Sequence, residues 1–371
     1  MPFNFSQTLI RWHAKHGRTG MPWQNQSDPY AIWVSEIMLQ QTQVSTVIER
    51  YQVFMKRFPT VHALANAKLD EVMALWSGLG YYSRARNLHR CAIQIVSEYS
   101  GQFPKTVEAL EQLPGIGRST AGAIAAFAFH LKTPILDANV KRVISRFFGI
   151  KTDLQHQKTI HLLWDRAWQL LPKPSSHMPV YTQALMDFGA TWCTPKQARC
   201  ISNDKACPMS TNCVAYQTNQ VGLIPAKKKK KESPAFETEL VLICYKNSVL
   251  LQKRPPKAIW GGLYSLLETP WVKLSKKNQR ENHFDPLRLF HQVISTTSSS
   301  TIKKSMVDCI EQCEPIDHVF SHRRLRMNPW LIKLNTKWKA TTPDLHWVSR
   351  SRLSDFGIPQ PIRVFLESNS R

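Results

Sequence analysis

Two carboxylates stand where they could carry out acid–base chemistry on a substrate. Glu36 lies alone among apolar and amide side chains in VSEIMLQQTQV, residues 34–44, and Asp137 directly precedes the amphipathic stretch ANVKRVISRFFG. We expect apolar neighbours such as Ile37 and Leu39 to raise the pKa of Glu36 by desolvation and to keep it protonated near neutral pH. Two carboxylates in different environments can hold different protonation states, so that one can act as an acid while the other remains an anion.

Each carboxylate also has an ordinary structural explanation. Glu36 could be a partly buried glutamate near the start of a helix. Asp137, taken by itself, is typical of an N-cap, which accepts hydrogen bonds from unpaired amides and stabilises a helix by about 1 kcal/mol. The residues alone leave both explanations open.

Four of the eight cysteines crowd into one short segment, whereas the others are dispersed. The segment reads Cys193-TPKQAR-Cys200-ISNDKA-Cys207-PMSTN-Cys213. In a reducing compartment, such clustering indicates a metal site rather than disulfides. Four thiolates at these intervals can close around a [4Fe–4S] cluster or a Zn²⁺ ion, and unmetallated cysteines are the third possibility.

A short glycine turn separates two predicted helices in VEALEQLPGIGRSTAGAIAAFAF, residues 107–129. Gly115 and Gly117 allow backbone N–H groups to approach a ligand with no Cβ in the way. The helix that follows adds partial positive charge at its N-terminus, so the turn suits a phosphate. A tight connection between helices, with glycines for geometry alone, is the alternative.

Length and charge bound the kind of protein. At 371 residues the chain predicts two domains, and a formal charge of +23 with a pI near 9.8 favours a polyanionic partner. An anionic membrane surface would also fit the charge, but no apolar run reaches the roughly 18 residues needed to span a bilayer. The start, MPFNFSQTLIRWHAKHG, lacks the layout of a signal peptide. We therefore expect a soluble cytoplasmic protein.

The pattern of apolar residues changes along the chain. Residues 1–217 carry the three-and-four apolar spacing of helices, as in VHALANAKLDEVMALW, and predict an all-α domain. Residues 218–235 predict an exposed linker. Its five lysines, 227–231, either form a solvated tether or follow the phosphates of a bound nucleic acid. Residues 236–371 predict an α+β domain, because TELVLICY and SVLLQKR are typical of two strands joined by a turn.

The order of the motifs is informative. A helix–hairpin–helix, then Pro-x-x-Asp, then four cysteines resembles the endonuclease III superfamily of DNA glycosylases. Within it, MPWQ, DPYAIWVSEIMLQQTQVSTVIERY and WSGLGYYSRARNLHR resemble the MutY-type adenine DNA glycosylases, which act on adenine mispaired with 8-oxoguanine. The family's cysteine intervals are six, two and five residues, whereas here they are six, six and five, so four residues are inserted between Cys200 and Cys207. Because of this insertion, the sequence leaves open whether the four cysteines hold a cluster. The expected role of a bound metal group is structural.

The resemblance implies a role for each matching residue of the pocket. Glu36 would protonate the adenine ring, and Asp137 would stabilise the developing oxocarbenium ion and help the attacking water. Trp23 and Asn139 match the wall of the adenine pocket and a polar residue near the catalytic aspartate. Ser119, also in this pocket, stands where bifunctional relatives carry a Schiff-base lysine, so we expect a monofunctional enzyme that leaves an abasic site.

The resemblance also implies DNA contacts, because the target nucleotide has to leave the duplex to reach the carboxylates. Gln41 and Tyr81 match residues that wedge into the base stack, Leu79 accompanies them, and Thr42 matches a contact with the 8-oxoguanine strand. The glycines and arginines around Tyr81 predict an exposed loop. Gly115 and Gly117 would hold the DNA backbone.

The C-terminal half resembles the Nudix-like domain of the same family through VLLQKRPPKAIWGGLYSLLE and DHVFSHRRLRM. A Nudix hydrolase needs a series of carboxylates for Mg²⁺, and none follows Gly262, so this domain should recognise rather than hydrolyse. Phe320, Ser321 and His322 match the family's recognition loop, in which the serine reads the base opposite adenine. A β-turn with a packed phenylalanine is the alternative.

The resemblance predicts a monomer that acts on double-stranded DNA with adenine:8-oxoguanine or adenine:guanine mispairs, near the nucleoid of a bacterium. Two alternatives remain. One is a bifunctional glycosylase and lyase, like endonuclease III, acting on oxidised pyrimidines. The other is a non-catalytic DNA-binding protein that uses the cluster as a scaffold.

Overall fold

The computed structural model describes residues 3–202, 207–226, 233–274, 285–289, 302–340 and 342–369. The lysine run 227–231 and residues 203–206 of the inserted loop lie outside these ranges. The described parts of residues 1–66 and 86–230 form one compact unit, and those of residues 67–85 and 231–371 form a second. The segment 67–85, expected in the first domain, thus makes its main contacts in the second unit.

The described residues between 3 and 217 form helices joined by turns and loops, which confirms the predicted all-α character. Their bounds are α1 Phe5–His16, α2 Pro29–Leu39, α3 Val44–Arg57, α4 Val61–Ala65, α5 Leu69–Leu75, α6 Ser83–Tyr99, α7 Val107–Glu111, α8 Arg118–Phe129, α9 Ala138–Phe148, α10 Gln157–Gln169, α11 Met178–Thr191 and α12 Val214–Gln217. Among the described residues, none of the helices combines the length and apolar character needed to cross a membrane.

Helix α2 runs through the interior of the first unit. Proline at its first position is compatible with a helix start, and the carboxylate of Asp28 caps the helix by accepting from the Tyr30 amide at 3.0 Å. Most of its side chains are buried, among them Trp33, Val34 and Met38, each with 0% exposure. A helix that is apolar nearly all round is typical of a core position, which makes its lone carboxylate unusual.

A second core helix, α9, is defined by its two ends. Asp137 caps its N-terminus, and Gly149, at φ +70°, ends it in the left-handed conformation that glycine adopts without strain. Its apolar side packs with α1, α10 and α11 into one buried cluster. In that cluster the Trp12 ring meets Phe188 and Trp192 edge to face, with centroids 5.0 and 5.4 Å apart.

The second unit is built on a mixed sheet, and this confirms its predicted α+β character. The described strands are β1 Ala235–Tyr245, β2 Ser248–Lys253, β3 Tyr264–Ser265, β4 Leu267–Glu268, β5 Val272–Lys273, β6 Val307–Gln312, β7 Ile316–Val319, β8 Arg324–Leu334 and β9 Leu345–Ser349, and α13 Gln360–Ser368 follows them. The order along the main path is β3-β2-β1-β8-β6, with β1 and β8 parallel. The predicted turn joins β1 and β2 as an antiparallel hairpin, in which Tyr245 pairs with Ser248.

Helix α5 joins the second unit through polar contacts. The Asp70 carboxylate accepts from Lys253 Nζ at 2.7 and 2.8 Å and from the Tyr264 hydroxyl at 3.0 Å. The Ser77 hydroxyl donates to the carbonyl of Ile358 at 3.4 Å. These contacts explain why a segment of the helical half belongs with the sheet.

Candidate active site

One cleft of the first unit, with a cavity volume of about 1420 Å³, gathers most of the predicted site residues. It lies among α2, α11, the segment between α1 and α2, and the N-terminal ends of α8 and α9. The predicted residues that line it are Trp23, Glu36, Gln41, Thr42, Ser119, Asp137 and Asn139. Residues more than a hundred positions apart in sequence therefore share one site.

Glu36 faces this cleft from the buried helix α2. Burial raises its pKa to about 8, and the nearby negative charge of Asp137 adds to the shift. A carboxyl group with a pKa of about 8 is mostly protonated at pH 7, so Glu36 can donate a proton at neutral pH.

Asp137 is both a helix cap and a wall of the cleft. Its carboxylate accepts from the Val140 amide at 2.7 Å, as the N-cap explanation predicts. Burial raises the pKa of Asp137, but hydrogen bonds from the Val140 and Asn139 amides, and the charges of Arg142 and Lys141, oppose the increase. The groups that favour the anion therefore surround Asp137, whereas both causes that act on Glu36 favour its protonated form.

Two neighbours fix the chain on either side of Asp137. The Ser119 hydroxyl accepts from the Leu136 amide at 2.9 Å, which ties the start of α8 to the residue before Asp137. Two residues further on, Asn139 Oδ1 accepts from Arg142 Nη2 at 2.9 Å. The backbone that carries Asp137 is therefore held from α8 and by α9 itself.

Trp23 forms part of the wall between α1 and α2. Only 8% of the residue is exposed, and its ring meets Tyr51 edge to face at 5.4 Å. His13, Arg18 and Gln183 also line the cleft, although no motif in the sequence points to them. All three contact the buried Asp187, and only that long-range pairing would have identified them.

The predicted wedge residues differ in exposure. Gln41 and Tyr81 both take positive φ values, +57° and +47°, which cost non-glycine residues about 1 to 3 kcal/mol and often mark functional positions. Tyr81 is 45% exposed, as its loop predicts, whereas Leu79 is 4% exposed. The Leu79 side chain is buried, and its carbonyl accepts from Arg84 at 2.8 Å. In this conformation the side chain is therefore not exposed for the contact with the base stack that the resemblance implies.

The hairpin between α7 and α8 has the predicted form. Gly115 has φ +80°, and a Cβ there would lie 2.7 Å from Asn87 Cβ, so this position requires glycine on two counts. Gly117 precedes α8 with open space around it, which leaves the backbone accessible at the helix N-terminus. The turn thus offers the backbone approach expected of a phosphate site.

All four predicted cysteine ligands line one further cavity of the first unit, although six residues separate Cys200 from Cys207. Arg146 of α9 donates to Cys193 Sγ at 3.4 Å and to the Thr194 carbonyl at 2.7 Å, which anchors the segment. In the described part of the chain, no three His, Cys, Asp or Glu residues converge as ligands of one metal ion.

The predicted recognition loop forms the tip of the β7–β8 hairpin in the second unit. Ser321 and His322 are exposed, whereas the Phe320 ring packs near His318 and Trp260, with centroids 4.5 and 5.2 Å away. The tip therefore combines a packed phenylalanine with exposed polar groups. Trp260 takes φ +57°, and Arg254 lies over its ring at 5.8 Å.

Both halves of the chain match known protein families. The HhH-GPD superfamily base excision DNA repair protein profile matches residues 34–169, and the NUDIX domain profile matches residues 239–368. The chain is 34% identical to an adenine DNA glycosylase of Buchnera aphidicola, over 96% of this chain and 94% of that protein. It is 38% identical to the human protein of that name, over 75% of this chain and 50% of the relative. The solved structure of a thermostable thymine-DNA glycosylase covers 58% of this chain and 95% of its own, with a TM-score of 0.52 and 29% identity.

Proposed function

The chain belongs to the adenine DNA glycosylases, base excision repair enzymes that remove adenine from DNA, and we propose that its substrate is adenine mispaired with 8-oxoguanine or guanine. Family membership confirms the resemblance seen in the sequence. The observation that supports the proposal for the site is the presence, in one cleft, of two carboxyl groups in different environments. Burial and the charge of Asp137 raise the pKa of Glu36 to about 8, whereas amide hydrogen bonds and cationic neighbours favour the anion of Asp137.

The two carboxyl groups divide the work of breaking the glycosidic bond. Glu36 donates its proton to the adenine ring, which allows the bond electrons to leave with the base. Asp137 stabilises the positive charge that develops on the sugar and accepts a proton from the attacking water. The products are adenine and an abasic site.

The residue at position 119 supports attack on the sugar by water rather than by a lysine amine. Ser119 has no amine to form a Schiff base, and its hydroxyl already accepts from the Leu136 amide. The enzyme should therefore be monofunctional. This distinguishes it from a bifunctional glycosylase and lyase.

We place the DNA contacts on the exposed backbone and the strained loops. The hairpin at Gly115 and Gly117 would bind a phosphate through its amides. Gln41 and Tyr81, already in left-handed conformations, would fill the gap left by the flipped nucleotide, with Leu79 in the same loop as Tyr81, and Thr42 would contact the opposite strand. In the second unit, the Ser321 hydroxyl would read the opposite base, with Phe320 and His322 shaping the loop.

Cys193, Cys200, Cys207 and Cys213 would hold a [4Fe–4S] cluster. The donor set of four thiols around one cavity fits this group, and Arg146 ties the segment to α9, which Asp137 caps. When bound, the cluster supplies a cross-link of the fold rather than a redox step. About four irons and four sulfides per chain in anaerobically purified protein would support this, whereas one zinc per chain would contradict it.

The proposed reaction is tested by single-turnover assays on duplexes with adenine opposite 8-oxoguanine, guanine or thymine. We expect base release from the first two and strand cleavage only after alkaline treatment. Cleavage without alkali at the rate of base release would show lyase chemistry. Binding without release from any duplex would support a non-catalytic DNA-binding protein.

A further inference from the structure

A buried carboxylate outside the catalytic pair connects two walls of the cleft. Asp187 lies on α11 with 0% of its side chain exposed. It accepts from the Arg18 amide at 2.9 Å, from Arg18 Nε and Nη2 at 2.8 and 2.6 Å, and from Gln183 Nε2 at 3.0 Å. His13 Nε2 lies 3.2 Å from the same carboxylate. These partners occupy the acceptor positions of the group.

The charge of Asp187 is secured by these contacts. Burial acts to raise its pKa, but the hydrogen bonds from His13 and Arg18 and the charge of Arg18 outweigh burial and bring the pKa below its ordinary value. Asp187 and Arg18 thus form an ion pair, in which the guanidinium donates two hydrogen bonds to the buried carboxylate. Such pairs contribute little net stability compared with apolar packing, but they fix geometry tightly.

From Arg18 the contacts continue toward Trp23. The Arg18 carbonyl accepts from Gln24 Nε2 at 2.9 Å, and Gln24 Oε1 accepts from the Met21 amide at 3.1 Å. The Gln24 amide in turn donates to the Met21 carbonyl at 3.0 Å. Trp23 lies inside this closed turn, so its position depends on where Arg18 is held.

Both ends of this chain of contacts belong to the cleft. The segment from Arg18 to Gln26 supplies one wall, and α11 supplies another through residues such as Gln183 and Met186. We propose that Asp187 is a positioning residue that holds the Trp23 segment against α11 and so sets the width of the base pocket. This inference rests on the proposed function, since it assigns the cleft to a flipped base.

The first test compares Asp187→Asn with a destabilised control in the single-turnover assay. Asparagine keeps the size and one acceptor but loses the charge, and we expect base release to slow about 100-fold, as expected for a misplaced pocket wall. The control is Leu163→Ala, in the same core cluster but on α10, which does not contribute to the described lining of the cleft. It should lose stability and keep its rate within about threefold below its unfolding temperature. Equal rates for the two variants would overturn the proposal.

The second test asks whether Asp187 acts through Trp23. In a Trp23→Ala background, Asp187→Asn should slow base release by less than about threefold, because the wall it positions is already gone. A further 100-fold loss in that background would show that Asp187 acts independently of Trp23 and would contradict the proposal.

If Asp187→Asn does not fold, Gln24→Ala decides, because it breaks the same chain of contacts at a half-buried residue. We expect about tenfold slower release that is not additive with Trp23→Ala, and an unchanged rate would overturn the proposal. An inactive wild-type protein would instead refute the proposed function. An active wild type with the wrong variant pattern refutes only the role of Asp187.

Discussion

The cleft of the first unit and the 320–322 loop of the second unit keep their polar groups in opposite environments. In the cleft, burial raises the pKa of both Glu36 and Asp137. In the loop, Ser321 and His322 are exposed above a packed Phe320. The chemistry proposed for the cleft requires desolvated charges, because electrostatic effects are stronger away from water. The recognition proposed for the loop requires an exposed hydrogen-bonding group that is held in place by a packed neighbour.

The largest expected effect is on the proton donor. Glu36→Gln removes the acid and preserves the shape, so base release should fall about 10³-fold for every partner base. Binding to the mismatched duplex should persist. Single-turnover rates and DNA affinity measured on the same preparation check this, and a rate within tenfold of wild type would contradict the assignment.

Asp137→Asn separates charge from capping. Asparagine is as good an N-cap as aspartate, so the unfolding temperature should change little. Loss of the anion should slow base release about 10²-fold. Thermal unfolding and single-turnover rates are measured together. A parallel loss of stability and rate would mean that the cap, not the charge, matters at this position.

In the loop, a substitution should change selectivity instead. Ser321→Ala removes one hydrogen bond, so the preference for 8-oxoguanine over guanine opposite adenine should fall about tenfold. The rate on adenine opposite guanine should not change. Ser354→Ala, an exposed serine of the same unit, serves as the control. Equal losses on both duplexes would contradict a reading role.

The last prediction concerns stability rather than rate. The pKa of Glu36 rises from 4.5 to about 8 on folding, so the folded state binds the extra proton and stability falls as pH rises through this range. Glu36→Gln should therefore unfold at a higher temperature than wild type at pH 9 and at the same temperature at pH 4. The exposed Glu49→Gln should show no such difference, and thermal scans at both pH values provide the check.

Local signals predicted much of the fold and of the site. The glycine turn at Gly115, the cap at Asp137 and the hairpin at Lys246 each depend on a few neighbouring residues, and the structure has all three. The pairing of Arg18 with Asp187 spans 169 residues and leaves no periodic or compositional trace. Asp70 joining the sheet of the second unit is of the same kind.

Leu79 illustrates a further limit of sequence. Its position beside Tyr81 places it in the loop, but the direction of its side chain depends on packing and on the Arg84 contact. Neither is visible in the string of residues. Its contact with DNA stays a prediction.

The pH dependence of single-turnover adenine release tests the central claim most directly, namely that Glu36 enters the reaction protonated. With saturating enzyme on an adenine:8-oxoguanine duplex, the wild-type rate should be level near pH 7 and fall about tenfold per pH unit above pH 8, as Glu36 loses its proton. The residual rate of Glu36→Gln should lack this fall. A wild-type rate that stays level to pH 9, or a fall that persists in Glu36→Gln, would contradict the account.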